Sequence, residues 1–258
     1  MQKQKNSLSI PTSIILAGFL IAVGIYFSIK NNTPTIKNTE TIKSNIIINT
    51  ISKTDHILGN PNAPIIMMEF SDIECPGCKV FQDTIQIIKD TYIKDGKVAL
   101  IYKHFPLDQI HTKSRKEAEA TECANELGGD TAFWKMLNTI YAKTPSNDKL
   151  DLAKLPEFAK EIGIDVLKFN ECLSSGKYTE LVEANFQDGI KAGVKGTPYN
   201  IFILKNTLSN DAEKTLQDFI LKNNLSQNIT ISSNKKEISS FGAFPIEIMK
   251  TILDIILK

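Results

Sequence analysis

Two cysteines separated by two residues, Cys75-Pro76-Gly77-Cys78, sit where an apolar run gives way to an amphipathic one. Residues 65–70 are almost continuously apolar and read as a strand covered on both faces. Residues 80–92 carry the striped pattern of a helix. A strand that delivers Cys-x-x-Cys into the first turn of a helix exposes the first sulfur and sets helix N–H groups beside its thiolate. That is the arrangement of a dithiol/disulfide redox centre. The rival readings are half a zinc site or an inert buried pair. Neither His56, His104 nor His111 has metal-ligand spacing to the cysteines, and a site of Cys75, Cys78 and His104 needs a further ligand. No cofactor and no metal are expected.

The rest of the chain alternates around that unit. Asp95-Gly96-Lys97 is a turn, and residues 98–103 form a second strand. Strand, helix and strand in that order imply a right-handed crossover and a parallel pair. The pattern then turns helical over 112–191, with helices expected at 114–127 (ended by Gly128-Gly129), 131–141, 150–162, 165–174 and 178–192. A strand follows at 199–204, then a short helix at 212–223, a strand around Ile229 and Ile231, and a last helix beginning near Pro245. A short edge strand is expected near 46–51.

The N-terminal part reads differently. Residues 11–29 carry no charge and are long enough to cross a bilayer, which takes about 20 residues. No small-x-small cleavage site follows, so the expectation is an uncleaved signal anchor. This divides the chain into a cytoplasmic tail (1–9), a transmembrane anchor (10–30) and a tether (31–50). Lys3 and Lys5 before the apolar run, against Lys30 and Lys37 after it, leave the charge bias weak. All four cysteines follow the run, and an even number on one side suits an oxidising extracytoplasmic space. A net charge of +1, without a basic stripe, gives nucleic-acid binding no support.

Within the redox unit, Cys75 is the expected attacking thiol, with a depressed pKa. Cys78, one turn on, is the expected resolving thiol. Glu69 shares a strand face with Ile65 and Met67, where a carboxylate is costly to bury unless hydrated or paired. It is read as a proton relay to Cys78 or as a strand-end carboxylate reaching water. Thr197-Pro198 follows Gly193-Val194-Lys195-Gly196. If that bond is cis, the Thr197 backbone turns toward Cys75 and offers partners to an extended substrate peptide. Cys123 and Cys172 are read as a structural disulfide fastening two helices, worth about 4 kcal/mol by chain entropy, or as two unlinked core cysteines; the disulfide is the expectation.

These segments together resemble the DsbA-like branch of the thioredoxin superfamily, over most of residues 60–257. The resemblance rests on the run from Met68 to Cys78 and on Tyr102-Lys103-His104-Phe105-Pro106-Leu107. It rests also on Ala120, Glu122, Cys123 and Ala124 with Phe133-Trp134, and on the run from Gly193 to Pro198. It implies an α/β thioredoxin fold in two parts, 51–111 and 192–258, with an inserted helical domain at 112–191; the apolar run adds one N-terminal transmembrane helix before it. It makes Cys75 the nucleophile, Cys78 the resolving thiol and Pro198 the cis-proline, and puts Glu69 at a buried acidic position. Gly242-Ala243-Phe244-Pro245 is similar to the family's final strand running into the last helix. The chain differs from many family oxidases in two ways. Gly77 stands where they carry a thiolate-stabilising histidine, and 205–228 is inserted after the cis-proline strand, to cover a sheet edge or meet a partner.

The implied function is a thiol:disulfide oxidoreductase that introduces disulfides into secreted or envelope proteins. It would be a single-pass protein of a bacterial cytoplasmic membrane, with its catalytic domain extracytoplasmic and a quinone-linked membrane partner to reoxidise it. The alternatives are a reductase or isomerase using the same site, and a non-enzymatic membrane-anchored binding module.

Overall fold

In the computed structural model, residue 52 and residues 54–258 are described. Among the described residues six strands form one sheet. These are β1 (His56–Leu58), β2 (Ile65–Ser71), β3 (Val98–His104), β4 (Tyr199–Leu204), β5 (Ile229–Ile231) and β6 (Glu237–Phe241), in the spatial order β1-β3-β2-β4-β6-β5. Only β2 and β3 run parallel, and α1 (Pro76–Ile88) connects them, prolonged by a π-helical turn at Lys89–Ile93. β2 is central and buried along its whole length. Ile65 and Met67 face a core shared with Phe81, Ile85 and Ile88 of α1, whereas Ile66, Met68 and Phe70 face a second core with Phe105 and Val194. Burial on both faces explains why its sequence is apolar without alternation.

Between β3 and β4 lie α2 (Ser114–Lys143), a 3-10 turn (Leu152–Lys154), α3 (Leu155–Glu161), α4 (Val166–Ser175) and α5 (Thr179–Lys191). α2 is two helical halves broken at Gly129, which takes φ 70 and ψ −172, a conformation that side chains beyond glycine rarely adopt. The sequence marks this break correctly as the end of one helix and the start of another. Phe133, Met136, Leu137, Ile140, Phe158 and Phe169 form the core of this block, and that core reaches the sheet at Tyr102 and α1 at Cys78. The inserted helices therefore pack directly behind the cysteine pair.

The segment after β4 forms α6 (Asn210–Lys222), capped by the Ser209 hydroxyl, which accepts from the Ala212 N–H at 3.2 Å. It leads into β5, an added strand beside β6. Leu208, Leu216, Ile220, Ile229 and Ile231 bury against the core of α1 and of α7 (Ile246–Ile256). This segment closes one face and one edge of the sheet.

Several expectations are corrected. The fold is a thioredoxin-like α/β fold with inserted helices; the expected transmembrane helix has no support, because among the described residues no helix is long and apolar enough to cross a membrane. The span 10–30, the tail, the tether and the strand near 46–51 lie outside the described residues. The single-pass topology, the signal anchor and the location built on them are therefore not supported by the described residues. As the resemblance implies, Gly242 to Pro245 carries the last strand in the chain, β6, into the last helix, with the Gly242 N–H turning back to the Pro198 carbonyl at 3.0 Å. β1 has no counterpart in the sequence reading, since three residues are too few to show a period.

Candidate active site

Cys75 is the N-cap of α1, with extended backbone (φ −74, ψ 122) and Pro76 in the first helical turn. Proline there fixes a helical φ and sacrifices no hydrogen bond, since that N–H has no partner within the helix. Cys75 is half-buried, Cys78 is fully buried, and both are free thiols. Their surroundings drive them apart. Cys75 is lowered to about 6, chiefly by a hydrogen bond from Cys78; burial opposes this, and Thr197 and the N–H groups of Cys78 and Gly77 add to it. Burial first, then the Cys75 sulfur, pushes Cys78 well above an ordinary thiol. The two sulfurs thus have the unequal acidity that directs attack to Cys75.

The Thr197-Pro198 peptide bond is cis. Its turn brings the Thr197 carbonyl to 3.6 Å from the Cys75 sulfur, which donates to it. A Cβ on Gly77 would lie 3.5 Å from Pro198 Cδ, 3.7 Å from Cys75 Sγ and 3.9 Å from the Thr197 carbonyl, all ordinary contacts. The cysteine turn and the proline turn therefore face one another, with room between them for a Cβ at position 77.

Glu69 lies on β2 with no exposure and receives the Gln82 side-chain N–H at 3.3 Å. Burial raises it to about 7, against the opposing effects of Ser71 and Gln82. In register it sits between Tyr102 of β3 and Asn200 of β4, both fully buried. This excludes the reading of a strand-end carboxylate reaching water directly. Ser71, near Cys78, bonds the Tyr141 hydroxyl at 2.9 Å, and Tyr141 bonds Tyr102 at 3.0 Å.

Cys123 and Cys172 are joined, with an S–S distance of 2.00 Å, and tie α2 to α4. His104 does not approach the cysteines. Its Nε2 lies 3.0 Å from Glu122, whose other oxygen lies 3.0 Å from His56 Nε2. Burial opposes ionisation of Glu122, but His104 and His56 outweigh it and hold the carboxyl at about 2. The cluster bolts β1 and β3 to α2. Among the described residues, no group of three or more His, Cys, Asp and Glu side chains is placed to hold a metal. The sequence reading did not single out Glu74, Gln82, Asn200 or Tyr141. For Glu74 a signal existed, an acidic side chain directly preceding the first cysteine.

A thioredoxin-like sheet, a reactive thiol at a helix N-terminus, its buried partner and a facing cis-proline define a thiol:disulfide oxidoreductase. A family model described as thioredoxin matches residues 51–222. The probable disulfide bond formation protein D of Bacillus anthracis is 30% identical over 203 residues, covering 74% of this chain and 91% of that protein. The crystal structure of alpha-DsbA1 from Wolbachia pipientis shares the fold, with a TM-score of 0.61 and 22% identity over 80% of this chain and 92% of that one. The chain belongs to the thioredoxin family, in its DsbA-like branch. It also resembles the Na(+)/H(+) antiporter NhaA 3 of Salinispora tropica, 29% identical over 144 residues, but spans only 21% of that protein's length. Nothing of antiport is carried over from so partial a match.

Proposed function

We propose that the chain oxidises protein dithiols through the Cys75–Cys78 pair, in an oxidising compartment, on secreted or envelope proteins. The pair of unequal thiols at the α1 N-terminus carries this reading. The Cys123–Cys172 disulfide supports the compartment, because such bonds persist where thiols are not kept reduced.

In the oxidised enzyme a substrate thiolate attacks Cys75 Sγ. The Cys75–Cys78 bond breaks, a substrate–Cys75 disulfide forms, and Cys78 leaves with the electron pair. Cys78 is the stronger base of the two and takes a proton, which Glu69 supplies as the relay. A second substrate thiolate then attacks the substrate sulfur and expels Cys75 as a thiolate. The substrate has lost two electrons and two protons, and the enzyme pair has gained the electrons. The Thr197 backbone, held by the cis peptide, positions the extended substrate segment beside Cys75. Reoxidation needs a two-electron acceptor, for which the sequence resemblance implies a quinone-linked membrane partner. Residues 51–111 and 192–258 are proposed as the two parts of the catalytic fold, and 112–191 as its helical insertion.

A low-pKa nucleophile is also a good leaving group, and a stabilised reduced form makes a strong oxidant. The test is the reduction potential of the pair in glutathione buffers, with Cys123 and Cys172 counted separately by mass after trapping. A value near about −120 mV supports the oxidase, and one near about −270 mV reverses the direction to a reductase. A Cys75→Ser variant should form no mixed disulfide with a reduced dithiol peptide. Exchange at the wild-type rate in that variant would sink the assignment of Cys75.

A further inference from the structure

Glu74 immediately precedes Cys75, is fully buried, and is gripped by residues some seventy positions away in the chain. The loop after α2, residues 144–150, closes on it from one side. The Asn147 N–H donates to the Glu74 carbonyl at 2.8 Å. The Thr144 hydroxyl donates to Oε1 at 3.0 Å, and the Leu150 N–H reaches the same oxygen at 3.4 Å. The Asp148 N–H donates to Oε2 at 2.8 Å. From the other side, Asp72 accepts the Glu74 N–H at 2.8 Å through its carboxylate and the Cys75 N–H at 3.1 Å through its carbonyl.

The gripping loop has an uncommon backbone. Ser146, Asn147 and Asp148 all take left-handed φ, at 63, 55 and 64. Three consecutive non-glycine residues in that region are disfavoured and persist only where their surroundings over-determine them. Here Thr144 Oγ1 accepts the Ser146 N–H at 3.0 Å. The Asp148 carboxylate accepts the Thr112 N–H at 2.9 Å and the Lys113 N–H at 2.8 Å, at the start of α2. Lys79 of α1 donates to the Thr144 carbonyl. The loop is thus tied to both ends of α2, to α1, and to the residue before the nucleophile. The Cys78 and Gly77 donors that stabilise the Cys75 thiolate are fixed in the first turn of α1. Whether the sulfur stays among them depends on the backbone just before Cys75.

The geometry points to Glu74 as a positioning residue, through which the 144–150 loop of the inserted helices holds Cys75 at the α1 N-terminus and sets the stability of its thiolate. This rests on the assignment of Cys75 as the nucleophile. It gives the inserted helices a part in the redox chemistry beyond covering the sheet.

The test compares Glu74→Ala, Glu74→Gln and Thr144→Val in the full chain with a control, Asp165→Ala. The control removes the α4 cap, whose carboxylate accepts from Leu167 and Lys168, and does not touch Glu74. Three quantities are read: Cys75 thiolate absorbance against pH, the equilibrium with glutathione, and the melting of the oxidised form. Glu74→Ala and Thr144→Val should raise the Cys75 pKa by about half a unit or more. They should also shift the glutathione equilibrium about threefold toward the enzyme disulfide, about 14 mV. Glu74→Gln keeps one acceptor and the side-chain length, and should recover part of both effects. Asp165→Ala should lower melting alone. The proposal is overturned if the three clamp variants behave as Asp165→Ala does, with pKa and potential unmoved. Thr144→Val alters a single hydroxyl and decides the matter if Glu74→Ala does not fold. An ordinary thiol titration in the wild-type chain would instead overturn the assignment of Cys75 itself, and the clamp with it.

Discussion

Replacing Glu69 by glutamine should change how the stability of this protein depends on pH, by an amount the structure fixes. Burial raises the carboxyl from 4.5 to about 7. Between those values the folded chain holds a proton that the unfolded chain has released. The native state is therefore favoured below pH 4.5 and loses that advantage as pH rises through about 7. Integrating between pH 4.5 and 8.5, at 1.36 kcal/mol per unit, gives a loss of about 3 kcal/mol from this one group. Glutamine has nearly the same shape and no charge to bury, so Glu69→Gln escapes the loss. The assay is urea unfolding of wild type and variant at pH 4.5, 6, 7.5 and 8.5, both with Cys75–Cys78 oxidised so that no thiol titrates. Titrations elsewhere, such as those of His56 and Glu122, are common to both proteins and cancel in the difference. The variant should gain on wild type by about 3 kcal/mol across the range, with most of the change above pH 5. A difference that stays flat within about 1 kcal/mol would show that Glu69 is not a carboxyl held protonated by burial, and would remove the basis for the relay role proposed for it.

Three further outcomes follow from the site. With Cys75 at about 6 and Cys78 far higher, the reduction potential should fall by about 59 mV per pH unit below pH 6, where two protons accompany two electrons, and by about 30 mV above it, where one does; a single slope from pH 5 to 8 would contradict the depressed thiol. Gly77→His should be accommodated, since the added Cβ meets only ordinary contacts, and its imidazolium should lower Cys75 further and make the pair more oxidising, by about 30 mV for each tenfold change in equilibrium; an unchanged potential would mean that the helix donors already satisfy the sulfur. Cys172→Ala opens a loop of 49 positions between α2 and α4 and should cost about 4 kcal/mol of unfolding free energy, measured by denaturant titration, while leaving the potential of the Cys75–Cys78 pair in place.

What could be read from the sequence was whatever is local. The β2 run, the Cys-x-x-Cys turn, the amphipathic α1 and the Gly-Thr-Pro turn each announce themselves within about ten residues, because their determinants are periodicity and turn chemistry. The break at Gly129 was legible for the same reason. The parts that stayed hidden are those made by distant residues meeting. His56 and His104 share Glu122 across 66 and 18 positions, and no spacing rule joins them. Glu74 looks like one more acidic residue until the loop seventy positions later folds onto it. Nor can the sequence show that Glu69 is sealed between Tyr102 and Asn200, since that depends on register across three strands.

The three titrating groups of the site owe their order to position rather than to residue type. Cys75 and Cys78 are chemically identical and one helical turn apart. One stands at a helix N-terminus, where N–H groups and a neighbouring thiol stabilise its anion; the other points into the core, where an anion has only the cost of burial. Glu69, near 7, falls between them. From about pH 6 to 7 the chain therefore presents a Cys75 favoured as thiolate and a Glu69 carboxyl that still holds its proton. The proposed exchange in the oxidising direction would use both, because the sulfur released first is the one least able to remain charged. The fold secures this order by placing the two cysteines on one short turn, and by holding that turn from one side with the cis-proline loop and from the other with Glu74.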